Sequence, residues 1–248
     1  MNAIYILWLR ELKRYTRSRA MVLASLGQPL LYLLVLGFGL GPVFQKAGNG
    51  SYLQFVAPGV IGMSVLFTSV FSGIGLLWDR QFGFLKETLV APVPRFTVMI
   101  GKTLGGATVA TIQGLLVLII CLIAGFRPIS WMMLPVAVVF MIMTAVVFAG
   151  LGMAIGSQLQ DMQGFQLIMN FIVMPIYFLS GALFPLNDLP SLLSFLTRID
   201  PLSYGIDALR HIFLGAGHFS PEISFAVLCV SALAFVGLGS YSFSKIQL

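Results

Sequence analysis

Six long apolar blocks dominate this chain, and each is long enough to cross a lipid bilayer. They lie at residues 20–40, 58–78, 103–124, 131–155, 165–186 and 223–243, and none contains an aspartate, glutamate, lysine, arginine or histidine. A helix of about 20 apolar residues spans a hydrocarbon core of about 30 Å. Only 9% of the residues are charged, whereas soluble domains carry about 25%. We therefore expect an all-α membrane protein with six transmembrane helices.

The lysines and arginines predict the orientation of these spans, because cytoplasmic loops carry an excess of both. Ten of the 14 basic residues precede the first block, lie in the 79–102 loop or follow the sixth block. The four on the opposite side are Lys46, Arg127, Arg198 and Arg210. This predicts a multi-pass protein of the inner (plasma) membrane with both termini cytoplasmic. It also explains the net charge of +6 without nucleic-acid binding.

Residues 2–18 have the pattern of an amphipathic helix. At 100° per residue, Ile4, Trp8 and Tyr15 share one face, and Arg10 and Arg14 share another. Aromatic rings favour the headgroup zone, and a basic face favours anionic lipid. We expect an interfacial helix in the segment 1–19, in contact with membrane lipid.

The loop between the second and third blocks carries more apolar residues than a solvated loop usually does. Phe82, Phe84 and Leu85 occur in a short stretch that Pro92 and Pro94 terminate. Exposed apolar residues of this kind need cover from lipid or from another protein. The segment 79–97 therefore predicts a short helix that is covered either by lipid or by another protein.

The segment 184–214, between the fifth and sixth blocks, is divided by Pro185, Pro190 and Pro201. Proline cannot continue a helix and biases the preceding residue away from helical geometry. The residues between the prolines are compatible with helix and half apolar. This pattern predicts short broken helices at a membrane surface.

Mildly polar residues within the spans are candidates for a substrate path. Ser64, Thr68 and Ser72 form a stripe on the second span, and Asn170 and Met174 lie on the fifth. The stripe could equally hydrogen-bond backbone or a neighbouring helix. An unpaired amide at membrane depth is costly, so Asn170 should meet either a partner helix or substrate.

The segment 184–214 also resembles the signature of ABC-2 type transporter permeases, the membrane subunits of one class of ATP-driven exporters. The matching runs are Phe184-Pro185-Leu186, Leu189-Pro190, Pro201-Leu202-Ser203-Tyr204 and Asp207-Ala208-Leu209-Arg210. With the basic start and the 79–102 loop, the resemblance covers nearly the whole chain. It is strongest to short permeases with daunorubicin-resistance, nodulation-factor and polysaccharide-export relatives.

This resemblance implies one transmembrane domain over residues 1–248, a second and identical permease subunit, and separate ATP-binding cassette subunits that hold the ATP and magnesium. The cytoplasmic coupling helix would include Asp79, Arg80, Phe82, Phe84, Leu85, Lys86 and Glu87. The external re-entrant segment would include Phe184, Pro185, Pro190, Pro201, Tyr204, Asp207 and Arg210. The substrate path would follow the subunit interface.

The implied function is export of an amphiphilic or hydrophobic small molecule, or of a lipid-like cargo, by alternating access. One alternative is export of a polysaccharide or lipid-linked oligosaccharide on the same architecture. Another is an ATPase-independent channel or a structural membrane subunit.

An enzyme is not expected, because the sequence contains no convincing catalytic or metal-binding set and no cofactor motif. Gly101-Lys102-Thr103 ends like a P-loop, but Phe96 occupies the position of the required glycine. Ser203, Asp207 and His211 are only loosely grouped. Asp207 and Arg210, three residues apart, more simply predict a local ion pair.

Overall fold

The computed structural model describes residues 3–39, 41, 51–90, 92–186 and 190–245. Lys46, and some positions of the segments predicted at 1–19, 20–40, 79–97 and 184–214, lie outside the described residues. The eleven α-helices of the described part are α1 (Ala3–Arg17), α2 (Arg19–Gly39), α3 (Tyr52–Phe71), α4 (Ile74–Gln81), α5 (Phe84–Val90), α6 (Arg95–Ile123), α7 (Leu134–Gln158), α8 (Met162–Leu179), α9 (Ser191–Ile199), α10 (Pro201–Leu214) and α11 (Pro221–Ser244). A 3-10 turn, Trp131–Met133, precedes α7.

Among the described residues, six helices are long and apolar enough to cross a membrane, which confirms the predicted fold class. They are Val22–Gly39, Tyr52–Gln81, Arg95–Ile123, Trp131–Gln158, Met162–Leu179 and Pro221–Ser244. The second span is longer than predicted, because α3 begins at Tyr52 and α4 continues beyond a break at Ser72 and Gly73. It therefore includes Asp79, which the apolar block excluded.

The fifth span is shorter than predicted. We expected it to reach residue 186, but α8 ends at Leu179. Gly181 then adopts φ 71°, a left-handed conformation that glycine tolerates far better than other residues. A β-carbon at Gly181 would lie 2.5 Å from Leu186 Cδ2. The chain thus folds back on itself instead of continuing the helix.

Helix α3 is the centre of the bundle, and every residue from 56 to 66 is buried. It packs against α2, α6, α7 and α10. Close approach to α7 depends on glycine, because a β-carbon at Gly152 would lie 2.2 Å from the Val70 carbonyl oxygen. A β-carbon at Gly73 would lie 2.3 Å from the Gly152 carbonyl oxygen. Small residues allow this backbone contact between spans.

The two ends of the bundle carry different short elements. We call the end that holds α1, α4 and α5 the α1 end, and the end that holds α9 and α10 the α10 end. Helix α10 inserts between α3 and α7, where Gly62 meets Ile206 and Gly205 meets Thr144. The placement of α1 at a membrane interface and of α10 as a re-entrant helix remain predictions.

Candidate functional site

Helix α1 packs lengthwise against α6, and its polar side chains take part in the contact. Trp8 Nε1 donates to Thr108 Oγ1 at 2.9 Å, and the Tyr15 hydroxyl donates to Gln113 Oε1. Glycine permits the approach, because a β-carbon at Gly105 would lie 2.7 Å from Glu11 Cβ. The amphipathic segment is therefore joined to the third span along several turns.

Five charged side chains form an ionic cluster where α1, α4 and α6 meet: Arg10, Glu11, Arg14, Asp79 and Lys102. Asp79 accepts from Arg10 at 2.6 and 3.1 Å and from the Lys102 ammonium. Glu11 lies 2.6 Å from Arg14 and 3.9 Å from Lys102. Asp79 is 3% exposed and Lys102 1% exposed. Such buried charges are tolerated because they are paired and hydrogen-bonded.

This cluster changes the interpretation of two residues. Asp79 was assigned to the partner-docking surface, but its carboxylate is buried against α1 and α6. Lys102 lies directly before the third apolar block, yet it is among the most deeply buried large side chains. The signal in the sequence is that each charge lies directly beside an apolar block, Asp79 after the second and Lys102 before the third.

A cleft of about 770 Å³ opens beside the ionic cluster. Residues of α1 and α2 line one wall, residues of α3 and α4 line the other, and α6 contributes Gly106 and Val109. The aromatic lining residues are Tyr15, Phe67, Phe71, Trp78, Phe82 and Phe84. Its volume and mixed apolar and polar lining are typical of small-molecule sites.

Three of the predicted path residues, Ser64, Thr68 and Ser72, line this cleft. Ser72 Oγ donates to the Ser69 carbonyl at 2.6 Å. Ser64 Oγ is buried and makes no hydrogen bond to any of the described residues. Seven other buried side-chain atoms of the described residues also lack a partner, so this feature alone does not mark a binding site. That substrate contacts this stripe remains a prediction.

The other two predicted path residues are elsewhere. Asn170 and Met174 lie on α8, and neither lines the cleft. Asn170 is exposed on the surface of the chain, near the exposed Phe171. The structure therefore separates the predicted path into a cleft group on α3 and a surface group on α8.

The predicted coupling residues divide into exposed and anchored positions. Phe82 and Phe84 are 62% and 49% exposed, and Lys86 and Glu87 are also exposed. Phe82 stacks on the exposed Trp78, with ring centroids 5.2 Å apart. These side chains form an accessible aromatic and charged surface at the α1 end.

Leu85 and Arg80 instead hold the segment to the bundle. We expected Leu85 to be an exposed apolar residue, but it is 2% exposed and packs with Val98, Met153 and Phe243. Arg80 donates to the Leu159 carbonyl at 3.2 Å. In a helix of only seven residues, the sequence pattern did not reveal which side faces the bundle.

At the α10 end, Asp207 and Arg210 do not pair directly, so the predicted local ion pair was wrong. The Asp207 carboxylate accepts the backbone N–H groups of His218 and Phe219 at 2.9 and 2.7 Å. Arg210 donates to the Gly181 carbonyl at 2.9 Å and lies 4.2 Å from the centroid of the Phe55 ring. Burial lowers the pKa of the Arg210 guanidinium to about 10.

The start of α10 uses Asp200 as its cap, followed by Pro201 in the first turn. Asp200 accepts from the Leu202 N–H and from Ser203 Oγ, and burial raises the pKa of this carboxyl to about 7. The Tyr204 hydroxyl donates to the Arg198 carbonyl at 2.9 Å. Since Ser203 and Asp207 are engaged separately, they form no catalytic set with His211.

The remaining predicted residues of the external segment have simple environments. Phe184 is half-buried, and Pro185 and Pro190 are exposed. Residues 187–189, including the Leu189 of the resemblance, lie outside the described part of the chain. Among the described residues, no group of three or more histidine, cysteine, aspartate or glutamate side chains could hold a metal ion.

Comparison with known proteins decides the family. Residues 2–214 match the ABC-2 type transporter family. The chain belongs to this family. It is 29% identical to nodulation protein J of Rhizobium meliloti (strain 1021), over 86% of this chain and 82% of the relative. It is also 29% identical to the inner membrane transport permease YadH of Escherichia coli (strain K12), over 94% of this chain and 91% of the relative.

ABC-2 membership has consequences for the whole chain. Members are membrane subunits of transporters, and they normally work with a separate ATP-binding cassette subunit that carries the ATPase. The six apolar helices and the likeness to an inner membrane permease identify a multi-pass inner membrane protein. The ABC-2 match includes the ionic cluster, the cleft and α10, and it ends before α11.

Proposed function

We propose that this ABC-2 permease is the membrane subunit of an exporter that moves an amphiphilic or hydrophobic cargo out of the cytoplasm. The observation that carries the proposal is the cleft between α1–α2 and α3–α4. The wall on α3 combines the Phe67 and Phe71 rings with the hydroxyls of Ser64, Thr68 and Ser72, and it has no charged side chain. This chemistry suits a molecule that is mostly apolar with a few hydrogen-bonding groups.

The α1 end is proposed to face the cytoplasm, because the basic residues concentrate in the segments at this end. An ATP-binding cassette subunit would then dock on the exposed aromatic surface of Trp78, Phe82 and Phe84. Its closure would move α4 and α5 and, through the ionic cluster, α1. A second copy of the chain would complete the transporter, and the exposed apolar face of α8 around Phe171 is the proposed contact.

Co-purification tests the exporter proposal directly. The tagged chain, extracted from its native membrane, should bring down an ATP-binding cassette subunit. Inside-out membrane vesicles that hold the complex should take up a fluorescent amphiphile only when ATP is added. A chain that never carries an ATPase with it would favour a channel or a structural subunit instead.

A matched pair of variants tests the docking surface. Phe84→Asp should weaken association with the ATPase by at least about ten-fold, because truncating an aromatic anchor removes more than about 1.4 kcal/mol of binding. Phe195→Asp is the control, since Phe195 is similarly exposed but lies on α9 at the opposite end. Leu85 is unsuitable for this test because it is buried. Equal association of both variants with the ATPase would reject the proposed surface.

Export of a polysaccharide or lipid-linked oligosaccharide is the second candidate. The observation in its favour is the number of aromatic rings in the cleft, together with the polar Gln28 and Ser25. The two candidates differ in cargo, so ATP-driven uptake of a labelled glycan, without uptake of the amphiphile, would support the second.

A further inference from the structure

The cleft has two chemically different parts. Its mouth lies beside the ionic cluster and carries the Arg10 and Arg14 side chains. Its inner part lies against α3 and carries Met63, Phe67 and Phe71. A ligand that fills both parts therefore needs a polar group at one end and an apolar body at the other.

The charge at the mouth is positive. The ionic cluster contains three cations, Arg10, Arg14 and Lys102, and two carboxylates, Glu11 and Asp79. One positive charge is therefore not neutralised within the cluster. A cationic group would be repelled at this position, and an anionic group would be attracted.

The two arginines can still donate hydrogen bonds to a ligand. Each terminal nitrogen of Arg10 donates one hydrogen bond to Asp79. Because a guanidinium has five N–H donors, three remain for other acceptors. The Arg10 and Arg14 side chains are 37% and 43% exposed. The Arg14 guanidinium also lies against Gly75, where a β-carbon would be 2.6 Å from its nitrogen. With glycine at position 75, the guanidinium lies against the backbone of α4 without moving.

The inner part has an unused polar atom of its own. Ser64 Oγ is buried and unpaired within the described part of the chain, and Ser64 lines the cleft.

We propose that the cleft binds one amphiphile with an anionic head group, taken from the membrane leaflet at the α1 end. Arg10 and Arg14 hold the head group, and the apolar body lies on α3 near Ser64 and Phe67. The inference rests on the proposed function and deepens it, because it names the charge class of the cargo that the cleft receives.

Tryptophan quenching tests this site without the ATPase. The chain has three tryptophans, so the double variant Trp8→Phe/Trp131→Phe leaves only Trp78, which lines the cleft. The purified full-length variant is placed in lipid nanodiscs that contain a small fraction of phospholipid with brominated chains. Brominated phosphatidylglycerol should quench Trp78 at about five-fold lower content than brominated phosphatidylcholine.

Two controls separate the cleft from general attraction to anionic lipid. The first control keeps Trp131 as the only tryptophan. Trp131 lies in the 3-10 turn that precedes α7, far from the cleft, so the two brominated lipids should quench it equally. In the Trp78 reporter, Arg14→Gln should abolish the preference, whereas Lys13→Gln should keep it, because Lys13 is exposed and does not line the cleft. A preference that survives Arg14→Gln, or that Lys13→Gln removes equally, would overturn the proposal.

Filling the cleft gives a test that leaves the ionic cluster intact. Ala24 is exposed and lines the cleft, so Ala24→Phe should reduce quenching of Trp78 by both lipids without removing an interaction. Unchanged quenching would overturn the proposed site. If lipid preference is absent while the wild-type chain still co-purifies with an ATPase, the site is wrong and the exporter proposal stands. If lipid preference is found but no ATPase associates with the chain, the proposed site stands and the exporter proposal is wrong.

Discussion

The two ends of the bundle both bury charged side chains, but they stabilise them in different ways. At the α1 end, Asp79 pairs with side chains of two other helices, Arg10 on α1 and Lys102 on α6. At the α10 end, Asp207 and Arg210 are satisfied mainly by backbone groups and by the Phe55 ring. The first arrangement joins separate helices, and the second fixes the local course of the chain.

If the chain works by the alternating access that its family resemblance implies, this difference has a mechanical meaning. Ion pairs between side chains can be exchanged when helices shift, and the cleft beside the ionic cluster leaves room for such a shift. A carboxylate that accepts two successive backbone N–H groups has no alternative partner without unfolding its loop. We therefore expect the α1 end to move during transport and the α10 end to stay rigid. The predictions below test this contrast.

The largest effect should follow from removing the buried lysine. Lys102→Met keeps most of the side-chain volume but leaves Asp79 with Arg10 alone, so the free energy of unfolding should fall by about 3–5 kcal/mol. Chemical denaturation in mixed micelles measures the change. Lys13→Met, at an exposed position of α1, should change stability by less than about 0.5 kcal/mol.

A double variant sharpens this test. If the loss comes from an uncompensated carboxylate, Lys102→Met combined with Asp79→Leu should recover stability relative to Lys102→Met alone. If the free energy of unfolding of Lys102→Met falls by less than about 1 kcal/mol, the ionic cluster does not stabilise the contact between α1, α4 and α6.

At the α10 end, the corresponding variant is Asp207→Ala. It leaves the backbone N–H groups of His218 and Phe219 without their carboxylate acceptor, which should lower stability by about 2 kcal/mol. Hydrogen exchange should accelerate at residues 218 and 219 and change little in α1. Asp207→Asn retains an acceptor oxygen and should have a smaller effect. Exchange that rises equally at both ends would contradict the idea of a local cap.

The sequence predicts the six spans well, because uninterrupted apolar runs leave a helix in lipid as the only reasonable structure. It predicts their ends less well. We ended the second apolar block before Asp79 because a charged residue usually marks the end of a span. The burial of Asp79 is explained only by its tertiary pairing with Lys102. Similarly, nothing in the apolar pattern after Leu179 indicates the turn that Gly181 makes.

The candidate site was harder to predict for the same reason. Helical spacing placed Ser64, Thr68 and Ser72 on one face, and the three residues do share the lining of one cleft. Spacing within a helix cannot show which residues of different helices meet. Asn170 and Met174 do not line this cleft, and their place on a substrate path remains a prediction. The spacing of Asp207 and Arg210 suggested a pair, but nearby backbone groups satisfy them instead.

The α10 end should also respond to pH through Asp200. Its folded-state pKa is raised to about 7 by burial, so folding favours the protonated carboxyl. The resulting stabilisation is complete below the unfolded pKa and is lost as pH rises through about 7. Between pH 6 and pH 8, this residue alone should lower stability by roughly 1 kcal/mol. Unfolding measured at several pH values checks this, and Asp200→Asn should remove that part of the pH dependence. An identical pH profile in Asp200→Asn would show that the carboxyl does not titrate in this range.

The smallest effect on stability is expected for Arg14→Gln. Arg14 pairs with Glu11, but its side chain is 43% exposed, and solvent screens such pairs so that they contribute about 0.5 kcal/mol. Denaturation of this variant should be nearly unchanged and insensitive to added salt. A loss above about 2 kcal/mol would mean that Arg14 belongs to the buried, structural part of the ionic cluster. If Arg14→Gln changes stability little but abolishes the preference for anionic lipid, Arg14 binds the ligand and contributes little to the stability of the ionic cluster. The α1 end would then contain two kinds of charge, one that holds helices together and one that is available to cargo, whereas the charges of the α10 end are structural.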